Sequence, residues 1–167
     1  MVEPWVACGV DVGASLAKVA LRDALGNLDL RHYPARDLEG VVRAVPGNGP
    51  RHLGLTGGGA IELGARLAGP VTPVNEFAAW GAGCRALLRR GRMELHEPFL
   101  LASVGTGTSV MLVDGMSVSR VGGTALGGGA VVGLGRALVG PRSFAELCAL
   151  AATGSRAGVD LLVSDIY

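Results

Sequence analysis

The sequence predicts an α/β protein in which a unit of three short strands followed by a helix occurs twice. Short apolar runs that end at glycines are typical of buried strands joined by tight turns. Segments with helical capping and charge order follow each set of strands. The same order occurs in residues 1–97 and again in residues 98–167. We therefore expect two related lobes, each a β-meander followed by helices.

In the first half, the opening strand ends at Gly13, which predicts a turn of small residues. Asn75 is placed to cap a long helix that ends at Arg90, and Glu76 in its first turn suits the helix dipole. The predicted elements of this half are strands at residues 6–12, 17–22, 28–33 and 52–55, and helices at residues 37–45, 61–67 and 75–90.

The second half repeats the pattern and then stops. Ser143, followed by Glu146 three residues later, predicts a helix that begins with a capping box. After that helix, no segment up to Tyr167 supplies further strands, so the second lobe is expected to be incomplete. Its predicted elements are strands at residues 99–104, 109–113 and 117–121 and a helix at residues 130–139.

Composition excludes several classes of function. With 49% hydrophobic and 17% charged residues, the chain is globular, not disordered. A net charge of +1 and 4% aromatic residues give no reason to expect nucleic acid or an anionic membrane as a partner. The uncharged stretches are shorter than the about 20 apolar residues that cross a bilayer. Scattered Cys8, Cys84 and Cys148, without a basic leader, predict a reduced cytoplasmic protein.

The turn after the first strand has the residues of a phosphate loop. Small residues there let backbone N–H groups approach a phosphate, and the carboxylate of Asp11 suits Mg²⁺, which prefers oxygen ligands. Taken alone, the same residues also fit an ordinary β-hairpin with a surface Asp and Lys. The candidate phosphate-binding residues are Asp11, Gly13, Ser15 and Lys18, with Asp11 also the candidate metal ligand.

A second loop of the same kind lies at the matching position of the second half. It combines glycines with hydroxyl side chains, and an ordinary Gly/Thr hairpin turn is the alternative for this segment alone. Two such loops at equivalent positions predict a nucleotide-binding protein, whereas the P-loop and the Rossmann glycine fingerprint are both absent from the sequence. The candidate phosphate-binding residues here are Gly105, Thr106, Gly107 and Thr108.

Five segments together resemble the type II, or eukaryotic-type, pantothenate kinase family. Residues 9–18 and 103–109 resemble its two phosphate motifs, and residues 56–60 resemble its TGGGA segment. The glycine-rich run at residues 120–135 is the most distinctive match. Residues 159–167 resemble a family segment that normally continues with glycine. The resemblance spans nearly the whole chain and departs from the family pattern at Ala14, where glycine is common.

This resemblance implies an actin-like ATPase fold of the ribonuclease H-like type, and ATP-dependent phosphorylation of pantothenate as the first step of coenzyme A biosynthesis. It places the catalytic base at Glu76, and it implies ATP and Mg²⁺ as cofactors and acyl-CoA as an inhibitor. It also implies a homodimer formed through the long helix. Arg120 is placed near pantothenate and acyl-CoA, and the further substrate-binding candidates are Ser109, Gly122 and Thr124.

Structural roles for the same residues, and other functions for the chain, stay open as alternatives. Glu76 is otherwise a first-turn acid that stabilises the helix dipole, and Arg120 is otherwise a solvated residue at a strand end. Two other functions also remain: a non-catalytic relic or regulatory module that binds CoA-like ligands or a partner kinase, and a different actin-fold ATPase or small-molecule kinase.

Overall fold

The computed structural model describes residues 5–47, 50–161 and 163–166. Its first sheet consists of β1 (Ala7–Val12), β2 (Leu16–Arg22), β3 (Leu28–Pro34), β4 (His52–Thr56) and β5 (Thr72–Pro73). Their order across the sheet is β3-β2-β1-β4-β5. β1 pairs antiparallel with β2 and parallel with β4, so the predicted meander β1–β3 is extended by parallel strands.

One face of this sheet forms the hydrophobic core. Two short helices, α1 (Leu38–Ala44) and α2 (Ala60–Gly64), pack on that face. Strand side chains alternate between faces, and every second residue of β1, β2 and β4 points to the core. The core residues are Cys8, Val10, Val12, Ala17, Val19, Leu21, Leu53 and Leu55 from the strands, with Leu38, Val41, Ala44 and Leu63 from the helices.

The second sheet contains β6 (Phe99–Val104), β7 (Thr108–Asp114) and β8 (Ser117–Thr124), in chain order. In the chain, α3 (Glu76–Arg90) precedes this sheet and is the longest helix described. The predicted cap of α3 is confirmed, because the Asn75 side chain accepts a hydrogen bond from the Ala78 N–H at 3.1 Å. At the other end of α3, Arg90 donates to the carbonyl oxygen of Gly26 in the β2–β3 turn at 3.0 Å.

By internal contacts the chain divides into two compact units. The first comprises Met1–Ala102 with Val110–Gly122, and the second comprises Ser103–Ser109 with Gly123–Tyr167. The second unit contains the β6–β7 loop, α4 (Gly128–Val139) and α5 (Phe144–Ala152). The predicted division of the chain at residues 97 and 98 concerns the repeated order of elements and stays a prediction.

The predicted capping box of α5 is confirmed. The Ser143 hydroxyl accepts from the Glu146 N–H at 3.2 Å, and the Glu146 carboxylate accepts from the Ser143 N–H at 2.7 Å. The first of these bonds satisfies a backbone N–H of the first helical turn, which has no partner within the helix. The pKa of Glu146 is lowered because the backbone N–H and then the hydroxyl of Ser143 favour its charged form.

Several boundaries differ from prediction for physical reasons. The helix predicted at residues 61–67 ends at Gly64 in the structure. The chain then continues in tighter turns, in which the Arg66 N–H donates to the carbonyl oxygen of Leu63. α4 starts two residues earlier than predicted, at Gly128. β5 was not predicted, since it has only two residues, one of them a proline at the sheet edge. Two 3-10 helices, Arg156–Gly158 and Val163–Asp165, were also missed.

None of the described helices alone combines the length and the apolar composition of a transmembrane span, although the bent pair Phe144–Ala152 and Arg156–Asp165 does so by length and composition only.

Candidate active site

An ion pair lies where β1 and β2 meet their connecting turn. The Lys18 ammonium donates to Asp11 Oδ2 at 2.7 Å, and the two residues are register partners across the strands. The turn itself is closed by the Gly13 N–H, which donates to the carbonyl oxygen of Leu16 at 3.0 Å. The structure therefore brings together Asp11, Gly13 and Lys18 of the predicted phosphate loop, with Ser15 inside the same turn.

The second carboxylate oxygen of Asp11 is the unusual feature of this site. Asp11 Oδ1 is buried and has no hydrogen-bond partner among the described residues. A buried charged oxygen without a partner is costly, and such atoms call for a ligand, an ion or water. Because Mg²⁺ takes one or two carboxylates and completes its shell with phosphate oxygens and water, a single carboxylate in this position fits that ion. No group of three metal-ligating side chains occurs in the part of the chain described here.

Thr56 lies beside Asp11 at the end of β4, its register partner in the parallel pair. Its hydroxyl is likewise buried and without a hydrogen-bond partner among the described residues. Gly57 follows with a φ of +87°, and a Cβ there would lie 2.5 Å from the Val12 carbonyl oxygen and 2.6 Å from Asp11 Oδ1. Only glycine therefore allows the segment after β4 to lie against Asp11.

Asp11 and Thr56 belong to a row of polar residues that runs across the first sheet, on the face opposite the core. The pairing registers align His32, Lys18, Asp11 and Thr56 across β3, β2, β1 and β4. A cavity of about 560 Å³ covers this row and continues over an apolar floor toward α3. The floor includes Gly9, Ala20 and Gly54, and the wall includes Leu30, Val74 and Trp80.

Glu76 is the first residue of α3 and is half-buried. Its carboxylate makes no hydrogen bond and no ion pair with the residues that the structure describes, the Asp11–Lys18 pair included. Its negative charge lies at the helix N-terminus, the positive end of the helix dipole. One turn later, Trp80 packs edge-to-face on Phe77 with ring centroids 5.9 Å apart, and Trp80 borders the cavity.

Arg120 lies on β8 and is exposed. Within the described residues its guanidinium has no hydrogen-bond or ion-pair partner. Gly122, two residues further along, is half-buried with Val110 beside it. Arg120 and Gly122 belong to the first unit together with Asp11 and Glu76, and no direct bond joins either to the Asp11–Lys18 pair.

The predicted second phosphate loop lies in the second unit and is tied to α4. The Gly105 N–H donates to Gly107 at 2.8 Å, which closes the turn. The carbonyls of Gly105 and Thr106 accept from the N–H groups of Gly128 and Gly129, at 2.8 and 3.0 Å. This loop therefore supplies the N-terminal cap of α4, a role that its sequence pattern did not indicate.

The hydroxyl groups flanking this loop are also engaged. Thr108 Oγ1 donates to the Leu126 carbonyl at 2.7 Å, and Thr124 Oγ1 accepts from the Leu126 N–H at 3.2 Å. These two side chains hold the segment before α4 from both sides. Ser109, on β7, is half-buried.

Thr56 and the cavity were not among the predicted site features. A usable signal existed, because Asp11 and Thr56 each end a strand, and parallel neighbours bring their carboxyl ends to one edge of a sheet. The cavity had no comparable signal, since its floor is made of small residues that the pattern assigns only to strands. The predicted roles of the site residues in binding and catalysis stay predictions.

A profile of the Fumble family matches residues 41–167. A type II pantothenate kinase of Bacillus cereus is 31% identical over 162 residues, which are 95% of this chain and 58% of that protein. A type II pantothenate kinase of Oceanobacillus iheyensis is 35% identical over 161 residues, which are 95% of this chain and 59% of that protein. The chain thus spans less than two thirds of the length of these curated relatives.

Three solved structures share the fold at low sequence identity. Component A of the (R)-2-hydroxyglutaryl-CoA dehydratase of Acidaminococcus fermentans has a TM-score of 0.63 at 13% identity, covering 90% of this chain and 60% of that one. EutJ of Carboxydothermus hydrogenoformans has a TM-score of 0.53 at 15% sequence identity, covering 93% of this chain and 64% of that one. The Lmo2764 protein of Listeria monocytogenes has a TM-score of 0.51 at 12% sequence identity, covering 90% of this chain and 71% of that one. The predicted fold class, α/β of the actin-like ATPase type, is confirmed.

Proposed function

Since this chain belongs to the Fumble family, we propose that it carries out ATP-dependent phosphorylation of pantothenate, the first step of coenzyme A biosynthesis. The relatives named above as type II pantothenate kinases support this reaction. The observation that carries the proposal is the Asp11–Lys18 pair, whose carboxylate keeps one buried oxygen without a partner among the described residues, at the edge of an open cavity. That arrangement suits a phosphate chain and a divalent cation.

In this proposal the first loop binds ATP. Lys18 meets the negative charge of the phosphates, and the backbone N–H groups of the turn beside Gly13 and Ser15 approach the phosphate oxygens. Asp11 Oδ1 is the oxygen that would hold Mg²⁺, while its other oxygen stays on Lys18. When bound, Mg²⁺ neutralises charge on the phosphates during transfer.

Glu76 acts as the general base in the proposed reaction. It accepts the proton of the primary hydroxyl of pantothenate as that oxygen attacks the γ-phosphoryl group. Glu76 lies at the start of α3, and its carboxylate has no hydrogen-bond or ion-pair partner among the described residues, so it is available for this role. Arg120, exposed and without a partner in the described part of the chain, orients pantothenate by charge, and acyl-CoA thioesters are the proposed competitors for it.

The second loop is proposed to contact phosphate or substrate through its backbone and its hydroxyls. Thr108 already donates its hydroxyl hydrogen to Leu126, so a phosphate contact from Thr108 requires that bond to switch. Gly105 and Gly107 keep the loop small, and Ser109, Gly122 and Thr124 remain proposed neighbours of the substrate.

A homodimer formed through α3 is also proposed. One side of α3 is used within the first unit, where Gly81 and Arg85 are buried, while Leu87 on the same helix is 58% exposed. The proposal of a dimer follows from the family resemblance, and the exposed Leu87 side chain is the position on this helix at which it is tested. Sedimentation equilibrium on the wild-type chain and on Leu87→Asp measures this association.

The reaction is tested by ADP release from purified protein with ATP, Mg²⁺ and pantothenate. We expect release that depends on pantothenate and that falls about 10²–10⁴-fold in Glu76→Gln, because the general base is lost. Glu39→Gln is the matched control, since Glu39 is also a first-turn helix acid and, among the described residues, pairs only with exposed Arg43. Its turnover should equal that of the wild type.

Other outcomes are equally informative. Equal turnover in Glu76→Gln and wild type would contradict the assignment of the base. Pantothenate or CoA binding in calorimetry without any turnover would favour the non-catalytic module. ADP release that ignores pantothenate would favour a different actin-fold ATPase.

A further inference from the structure

The middle of α3 contains a buried arginine that the proposed reaction does not use. Among the described residues, Arg85 is the only charged residue that is buried. Its guanidinium donates to the Gly115 carbonyl oxygen in the turn between β7 and β8, and it forms an ion pair with Glu97 Oε1 at 3.3 Å. A buried arginine is tolerated only when it is paired in this way.

Glu97 completes a closed set of bonds around the same turn. Its second oxygen accepts from the Gly115 N–H at 2.7 Å. Both backbone polar groups of Gly115 are thus held, one by Arg85 and one by Glu97, and Gly115 has a φ of +53°. The β7–β8 turn is therefore bonded directly to α3.

A second contact, one turn earlier on α3, lies on β8. A Cβ at Gly81 would be 2.5 Å from Val118 Cγ2, so helix and strand touch at a point where a larger residue would require Val118 or its strand to shift. Glu76 precedes Gly81 by about 7.5 Å along the helix axis. Arg120 follows Val118 by about 7 Å along the strand. Both proposed site residues are therefore close to a tight contact between their own elements.

We propose that Arg85 is a positioning residue: with Glu97 and the Gly81–Val118 contact, it fixes α3 against the β7–β8 hairpin and so sets Glu76 relative to Arg120. This inference rests on the proposed function, in which these two residues act on pantothenate. Replacing a buried ion pair by apolar residues often costs no stability, so its value here is the fixed geometry that directional bonds supply.

Arg85→Met tests this, because methionine fills similar space without the bonds. We expect kcat/KM for pantothenate to fall at least tenfold, while KM for ATP changes less than threefold, since the proposed ATP loop lies on β1 and β2. Arg85→Lys keeps the charge and should recover part of the loss. Arg89→Met is the control, because Arg89 is exposed on the same helix and has no partner among the described residues.

A pair of size changes gives an independent test that does not remove charge. Gly81→Ala should displace β8 and produce the same selective loss toward pantothenate. Adding Val118→Ala makes room for the new methyl group and should restore kcat/KM to within about threefold of wild type. The double variant keeps the inference testable if Arg85→Met does not fold.

The outcomes separate this inference from the proposed function. If the wild type turns over pantothenate and both Arg85→Met and Gly81→Ala behave like Arg89→Met, the positioning role is overturned and the function stands. Equal losses toward ATP and pantothenate would indicate a purely structural role and would also overturn it. If the folded wild type neither binds nor phosphorylates pantothenate, the proposed function itself fails.

Discussion

The loops after β1 and after β6 look alike in sequence and differ in what holds them. In the first loop, Asp11 and Lys18 form an ion pair at 2.7 Å, and a buried carboxylate oxygen stays without a partner among the described residues. In the second loop, the carbonyls of Gly105 and Thr106 cap α4, and the flanking Thr108 hydroxyl is bonded to Leu126.

Small residues thus predict a tight turn but not the chemistry of that turn. The first loop combines a turn with charged groups and an unsatisfied atom, which are the features of a site prepared for an ion or phosphate. In the second loop, two backbone carbonyls accept hydrogen bonds from the first N–H groups of α4, which is a structural role. The first loop therefore carries more of the proposed phosphate binding than its counterpart.

The largest expected effect is at Gly57, beside the first loop. Gly57→Ala places a Cβ at positive φ and within 2.6 Å of Asp11 Oδ1, so we expect a loss of roughly 2–5 kcal/mol in the free energy of unfolding. Gly58→Ala, with open space around it, should stay within about 0.5 kcal/mol of wild type. Urea unfolding of the three proteins measures this, and equal midpoints would show that the close approach to Asp11 is not required.

Gly127 tests the second loop. A Cβ there would lie 2.8 Å from backbone atoms of Gly107, so Gly127→Ala should cost about 1–3 kcal/mol of unfolding free energy. Gly133→Ala, in the middle of α4 with nothing near its Cβ, should instead stabilise by about 0.5–1 kcal/mol. Opposite shifts in thermal midpoint are the expected result. A destabilised Gly133→Ala would contradict the account of α4.

The smallest effect is a pH dependence in the second unit, where the lowered pKa of Glu146 comes from the cap of α5. Its folded pKa lies below the ordinary value of 4.5, so this stabilisation is present above about pH 4.5 and is lost as the pH falls through the folded pKa. In Glu146→Gln, unfolding should lose this acid dependence, and in Asp114→Asn it should keep it. NMR titration of the Glu146 side chain measures the pKa directly, and a value at or above 4.5 would contradict the capping account.

Much of the fold was predictable because local signals agreed with it. Glycine turns, the Asn75 cap and the capping box at Ser143 each specify an element end with a physical cause. β5 was not predictable, since two residues at an edge have no period.

For the site, the sequence predicted the residues of the first loop but not their environment. The unpaired state of Asp11 Oδ1 depends on burial by Gly57 and Thr56, which lie more than forty residues away in the chain. The hydrogen bond from Arg85 to the Gly115 carbonyl oxygen likewise joins residues thirty positions apart. Neither follows from spacing along one segment.

Nucleotide binding by the first loop is tested by calorimetric titration of ATP, with Mg²⁺ present, into the wild-type chain, Asp11→Asn and Asp114→Asn. Asp114 is an exposed aspartate on β7 without a partner in the described part of the chain, so its variant controls for the loss of one negative charge. We expect Asp11→Asn to weaken binding at least tenfold and Asp114→Asn to leave it unchanged. Equal affinities for all three proteins would contradict the claim that the first loop binds the nucleotide.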